Sequence, residues 1–141
     1  MTSTDQDTDD LLALQARYAE TYDGCEPEGF AAAFAADGTL VLPDGVSHTG
    51  HDALCDFAAA AAARSARTHH FMQNQRVHVT GNTATGTAHV TAVSRLGDSV
   101  RLLIIGRYQD AMIRTAEGWR FQERRIIALT PDDLPDPLLS S

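Results

Sequence analysis

A histidine pair, His69-His70, opens a stretch of β-type residues, and an acidic Tyr22-Asp23 step closes a helical pattern far upstream. Imidazole is the side chain whose ordinary pKa lies closest to neutrality. A carboxylate bonded to one ring nitrogen fixes its tautomer and raises the basicity of the other. Asp23 and His70 therefore have the residue types of a general base and its orienting acid. Strand alternation sends His69 and His70 to opposite faces, and His70 is preferred because Met72 and Asn74 share its face. A carboxylate at the end of a helix opposes the helix dipole, so Asp23 calls for a reason. The plain alternative is that Asp23 caps the Gly24 turn and His70 sits satisfied in the core.

Other candidates lie further along. His89 belongs to a polar stripe, Thr85, Thr87, His89 and Thr91, which lines a pocket if the sheet is concave there and meets water if it is convex. Tyr108 and Asp110 share a face with Gly106, where an unpaired buried acid is costly. Asp110 is accordingly either functional or bridged to Arg76, Arg101 or Arg124. Arg124, in the run Glu123-Arg124-Arg125, is either a donor to an enolate oxygen or a solvated sheet charge. Donors to such an oxygen are available in Tyr22, Tyr108 and Asn74. His48 and His51 flank Gly50 as exposed loop residues without a third ligand at suitable spacing, so no metal is expected. Phosphate-binding glycine loops, nucleophilic serine signatures and spaced Cys/His motifs are absent from the sequence, which leaves ordinary acid and base side chains and no expected cofactor.

Composition bounds the partners. The 141 residues suit one domain with a core and a small cavity. Eleven basic against nineteen acidic residues give a net charge of -8, which disfavours nucleic acid and anionic membrane surfaces. No apolar run approaches the roughly 20 residues of a spanning helix. Two cysteines, Cys25 and Cys55, and a polar, acidic start with no leader-like pattern fit a reduced cytoplasm.

The elements that must position these residues follow from periodicity. Leu11, Leu14, Tyr18 and Tyr22 predict a first helix over Asp9 to Tyr22, preceded by a disordered segment over residues 1–8. Pro27 opens a short second helix carrying Phe30 and Phe34 and stopped by Asp37-Gly38. Thr39 to Leu42 is a brief β run ended by Pro43-Asp44-Gly45, and a third helix after Gly50 carries Leu54 and Phe57. From His69 the period becomes 2. Turns at Gly81-Asn82, Gly97-Asp98 and Glu117-Gly118 divide four strands: His69 to Val79, Ala84 to Leu96, Val100 to Thr115 and Trp119 to Leu129. The prediction is an α+β fold, three N-terminal helices packed in a strongly curved antiparallel sheet, with a loose Pro-rich tail over residues 131–141. Phe30, Phe34, Phe57, Phe71, Trp119 and Phe121 are assigned to the core.

This order of elements, with Arg17-Tyr18, Tyr22-Asp23, Phe34-x-x-Asp37-Gly38, Gly50-His51, His70-Phe71, Asn74, Gly106-x-Tyr108-x-Asp110 and Gly118-Trp119-Arg120-Phe121, resembles the SnoaL-like branch of the NTF2-like cone fold over about residues 9–127, within a domain placed at residues 9–130. Scytalone dehydratase, polyketide cyclases, ketosteroid isomerase and limonene epoxide hydrolase resemble one another in this fold, which does not itself settle function. The resemblance implies an Asp23–His70 dyad, His89 as a second pocket histidine and Asp110 as an acid/base, with Tyr22, Met72, Asn74, Tyr108 and Arg124 around the substrate. It also implies a homodimer, for which Ile105 and Ile113 are plausible contacts. The fungal dehydratase has a second tyrosine that works with its first, and no tyrosine lies here between Tyr22 and Tyr108. The implied chemistry is proton abstraction next to the carbonyl of a small, largely apolar, polyketide-like compound. Epoxide opening, which would make Asp110 matter more than His70, and a noncatalytic binding or assembly role are the rivals.

Overall fold

The computed structural model describes residues 4–64 and 67–134. Helix α1 (Thr4–Asp23) buries Leu11, Leu14, Gln15 and Tyr18, one stripe at i, i+3, i+4 and i+7. It begins at Thr4 rather than at Asp9, which corrects the disorder expected over residues 1–8 for those from Thr4 onward. The cause is tertiary: buried Asp7 accepts Arg114 Nη1 and Nη2 at 2.8 and 2.9 Å and Trp119 Nε1 at 3.2 Å. These contacts fasten the first turn, although its local sequence is merely polar.

Helix α2 (Pro27–Ala32) starts with proline in its first turn and ends before Phe34. Phe34 instead opens strand β1 (Phe34–Val41), so Asp37-Gly38 lies inside a strand and does not stop a helix. Gly38 is required there because a Cβ would lie 2.7 Å from the Phe121 carbonyl oxygen and 2.9 Å from Phe34 Cβ. The short strand β2 (Ser47–Thr49), which the sequence did not reveal, pairs back on β1, and α3 (His51–Ala63) follows Gly50. His51 is thus the first residue of a helix, bonded to Glu28 at 2.8 Å, and His48 packs on Phe57.

The long strands are β3 (Thr68–Thr80), β4 (Thr83–Leu96), β5 (Ser99–Thr115) and β6 (Gly118–Ala128), joined by tight turns that use positive φ at Gly81 and Gly97. The sheet order is β2-β1-β6-β5-β4-β3. Neighbours are antiparallel except β1 and β6, which run parallel, so the sheet is mixed where an antiparallel one was expected. Along β4 the inner positions are Ala84, Gly86, Ala88, Val90, Ala92 and Ser94, all buried. Gly86 leaves room for side chains from β5 and α1: a Cβ there would lie 2.8 Å from Met112 Cε and 3.2 Å from Gln15 Nε2.

Bulges alter which residues face inward. In β6, Glu123 opposes Ala111 and Phe121 opposes Met112, so Gln122 is an extra residue and the inward parity changes from Trp119 and Phe121 to Arg124 and Ile126. Phe30, Phe34, Trp119 and Phe121 are buried as expected and Phe57 is partly buried against them. Phe71 is not core: it lies on the outer face, 48% exposed beside His69. After a short 3-10 turn (Pro131–Asp133), the tail beyond residue 134 falls outside the described residues.

Candidate functional site

The end of α1 meets the start of β3. Asp23 and His70 side chains are each 14% exposed, and Asp23 Oδ1 lies 2.6 Å from His70 Nδ1 while Oδ2 accepts the His70 backbone N–H at 2.8 Å. Thr68 Oγ1 approaches Oδ1 at 3.4 Å. The backbone bond anchors the carboxylate to the strand that carries its imidazole, so the ring and its acid move as one unit. A carboxylate on Nδ1 selects the tautomer with the proton there and leaves Nε2 as the basic nitrogen. The alternative of Asp23 as a simple turn cap gives way to this pairing. His69, on the other face, stays exposed, 4.0 Å from Asp23.

His70 lines a cavity of about 100 Å³ together with Tyr18, Tyr22, Phe57, Tyr108 and the aliphatic side chains of Val90, Ile104 and Ile126. Tyr22 meets His70 edge-on at 5.1 Å between ring centroids. Tyr22 also borders a larger outer cavity of about 530 Å³, whose wall includes Asp23, Arg64, Arg67, Thr68 and Leu103. The dyad thus stands in the partition, His70 toward the small apolar chamber and Asp23 toward the wide one. Tyr18 was legible only as a core position. Its place four residues before Tyr22 on the same helix face was the available signal that it reaches the same chamber.

Both buried phenols stay protonated. Burial pushes the Tyr108 hydroxyl up to about 12 even though the Arg124 cation pulls the other way, and burial raises Tyr18 well above its ordinary range with Tyr108 adding to the rise. Tyr22 is raised as well, chiefly by burial. The two phenols bond to one another, which with Arg124 opposes the rise at Tyr108, and a neutral hydroxyl can still donate to an oxygen brought into the chamber.

Asp110 and Arg124 are buried in a second centre behind those phenols. Arg124 Nε donates to Asp110 Oδ1 at 2.8 Å and Nη2 to Oδ2 at 3.1 Å, with both side chains fully excluded from solvent. Gln15 Nε2 adds a bond to Oδ2 at 3.3 Å, and Gln75 Nε2 donates to Gln15 Oε1 at 3.0 Å. The guanidinium is stacked among rings, its carbon 3.6 Å from the Tyr108 centroid, 4.4 Å from Tyr18 and 4.6 Å from Phe121. Burial alone would lower the Arg124 pKa, but Asp110 and its neighbours outweigh it and hold the cation charged. Asp110 is therefore bridged to Arg124, one of the two alternatives. Arg124 touches the phenols that line the chamber without lining the chamber itself.

Two expected site residues, Asn74 and His89, lie on the outer face, and a third, Met72, stands outside the chamber lining. Asn74 has a positive φ of 53° at a bulge between Gln73 and Arg76, where Asn74 and Gln75 together oppose Ala88. Gln75 turns inward to Gln15, and Asn74 turns outward, its Nδ2 lying 3.1 Å from His89 Nδ1. The face that Asn74 was expected to share with His70 is thereby lost. His89 occupies an outer position of β4, opposite Gln73 and Arg107, so it is not a second pocket histidine. Met72 keeps the inner row with His70, opposite Val90, half-buried and outside the residues lining the chamber.

Residues 4–125 match the family model described as SnoaL-like domain. The chain belongs to the SnoaL-like domain family. Solved structures carry the same fold: Rv3472, a function unknown protein from Mycobacterium tuberculosis, is 29% identical with a TM-score of 0.82, covering 95% of this chain and 84% of that one. An NTF2-like protein with a cystatin-like fold from Novosphingobium aromaticivorans is 22% identical with a TM-score of 0.79, covering 89% and 83%. A scytalone dehydratase-like protein from the same organism is 21% identical with a TM-score of 0.77, covering 87% and 84%. No curated protein sequence matches the chain. This SnoaL-like domain is thus an NTF2-like α+β cone, its curved, unclosed sheet holding the helices on its inner side. No helix among its described residues is long and apolar enough to cross a membrane.

Proposed function

We propose that this SnoaL-like domain is a cofactor-independent acid/base enzyme that removes a proton from the carbon next to the carbonyl of a small, polyketide-like ring compound. The observation that carries this reading is the 2.6 Å contact between Asp23 and His70 at the wall of an apolar chamber lined by three neutral phenols, Tyr18, Tyr22 and Tyr108. His70 Nε2 takes the proton and Asp23 stabilises the imidazolium that results. The electron pair moves to the carbonyl oxygen, where Tyr108 and Tyr18 are the donors, polarised from behind by Arg124. Water loss, ring closure or a double-bond shift all follow from that enolate, and the substrate selects among them. Cytoplasmic secondary metabolism is the proposed setting.

Epoxide opening would need a carboxylate free to activate water, and both oxygens of Asp110 are engaged. The test is solvent deuterium incorporation into a panel of aromatic β-hydroxy ketones, comparing the native protein with folded His70→Ala and Asp23→Asn. The proposal expects exchange or water loss that falls by a factor of about 10² or more in both variants. Exchange unchanged in the variants, or absent throughout the panel, assigns the domain a noncatalytic binding role. A homodimer through the outer sheet face is part of the same proposal. Half-buried Ile105 and Ile113 lie there, and exposed Val100 and Leu102 flank them along β5. Sedimentation of a single monomeric species across concentration would exclude it.

A further inference from the structure

The residues displaced from the chamber make a second constellation on the opposite face of the sheet. A cavity of about 190 Å³ is lined by Asn74, Arg76, Thr87, Ala88, His89 and Arg107. The sheet register builds it. Arg107 pairs directly across from His89, and Arg76 pairs with Thr87, so the two guanidinium-bearing residues flank the imidazole from either side of β4. The bulge at Asn74 turns one more amide toward the same space. Asparagine is among the few side chains that tolerate this left-handed conformation cheaply, so the local sequence suits the geometry.

The chemistry of the lining is one-sided. It supplies two guanidiniums, an imidazole, a carboxamide and a hydroxyl, and no carboxylate, in a chain whose net charge is -8. Arg107 Nε is buried without a hydrogen-bond partner among the described residues, a donor whose desolvation is uncompensated. Asp133 is held below its ordinary pKa chiefly by the Thr130 N–H and Oγ1–H that its Oδ2 accepts at 2.8 and 3.1 Å, with the Arg107 cation a lesser cause, so that carboxylate is already engaged. Clustered cations facing one another repel unless an anion lies between them.

We propose that this outer cavity is a binding site for a small tetrahedral oxyanion, inorganic phosphate or the phosphoryl group of a phosphate monoester, held between Arg107 and Arg76 with His89 and Asn74 completing its hydrogen bonds. The site is separate from the chamber of His70, since it faces the other side of the sheet; Arg107 shares that face with Ile105 and Ile113, so in the proposed homodimer the oxyanion would be held beside the seam between copies. Its occupancy ties edge strand β3 to β5 across β4, which stiffens the strand that carries His70.

The test is a titration of the full chain with inorganic phosphate and, separately, with glycerol 3-phosphate at constant ionic strength, followed by amide and imidazole NMR. The expected result is saturable one-to-one binding, with shifts centred on Asn74, Arg76, Thr87, His89 and Arg107. Affinity should fall at least about tenfold in Arg107→Gln, the loss expected when one charge-assisted hydrogen bond goes. Arg76→Gln, a change at an exposed position, should weaken binding as well and guards against a folding defect in the first variant. Tighter binding of the ester assigns the site to phosphorylated ligands, and equal or tighter binding of phosphate assigns it to the free ion. Non-saturating shifts, or binding unaltered in both variants, would overturn the proposal.

Discussion

Replacing Asp110 by asparagine isolates the energetics of the buried ion pair. The change is isosteric, yet it leaves the Arg124 guanidinium fully buried among Tyr18, Tyr108 and Phe121 with its counter-charge removed. Of the two guanidinium bonds, at 2.8 and 3.1 Å, the carboxamide oxygen can keep one, and the amide NH₂ then confronts a donor. Breaking one partner of a buried pair costs about 3–5 kcal/mol. For a chain of 141 residues this corresponds to a fall in Tm of roughly 10 °C or more. Urea denaturation monitored by circular dichroism should show the midpoint falling at constant slope. The double variant Asp110→Leu/Arg124→Met should recover most of the loss, because the aromatic surroundings accept apolar side chains without a desolvation penalty. A cost for Asp110→Asn within about 1 kcal/mol of zero would falsify the isolation of the Arg124 charge. Unchanged stability combined with loss of deuterium exchange would restore Asp110 as an acid/base.

Three other perturbations follow from the same geometry. Tyr108→Phe removes a donor to the developing oxyanion while keeping the ring under Arg124, so the deuterium-exchange rate should fall about a hundredfold with little change in Tm; an unchanged rate would remove Tyr108 from the mechanism. Tyr108 and Tyr18 hold their protons more tightly folded than unfolded, with Tyr108 raised from 10.0 to about 12. Their contribution to stability is accordingly intact below about pH 10 and is lost as pH rises toward 12, so tyrosinate absorbance from both should appear together with loss of circular dichroism, and their ionisation near pH 10 in a folded chain would contradict this. Gly38→Ala drives a Cβ to 2.7 Å from the Phe121 carbonyl oxygen and should cost about 1–3 kcal/mol by denaturant melts, a value near zero meaning that β1 and β6 can move apart.

Apart from β2 and the start of β1, the elements and their order, and the pairing of Asp23 with His70, were legible in the chain itself, because amphipathic period, turn glycines and the Tyr22-Asp23 step are local signals. The helical stripe at Leu11, Leu14 and Tyr18 and the alternation of β4 state their own buried faces. Tertiary structure alone decided which side of the cone each later side chain occupies. An extra residue reverses every inward assignment beyond it, and this happens at Asn74-Gln75 in β3 and at Gln122 in β6. The first sends Asn74 to the outer face beside His89 and the second brings Arg124 in to meet Asp110. Long-range pairing also overrode local preference where Phe34 joined a strand beside Phe121 and where Arg114 and Trp119 secured Asp7 in the first turn of α1. Periodicity identifies a strand and its alternation, but the register at which that alternation is interrupted is set by the packing of its neighbours.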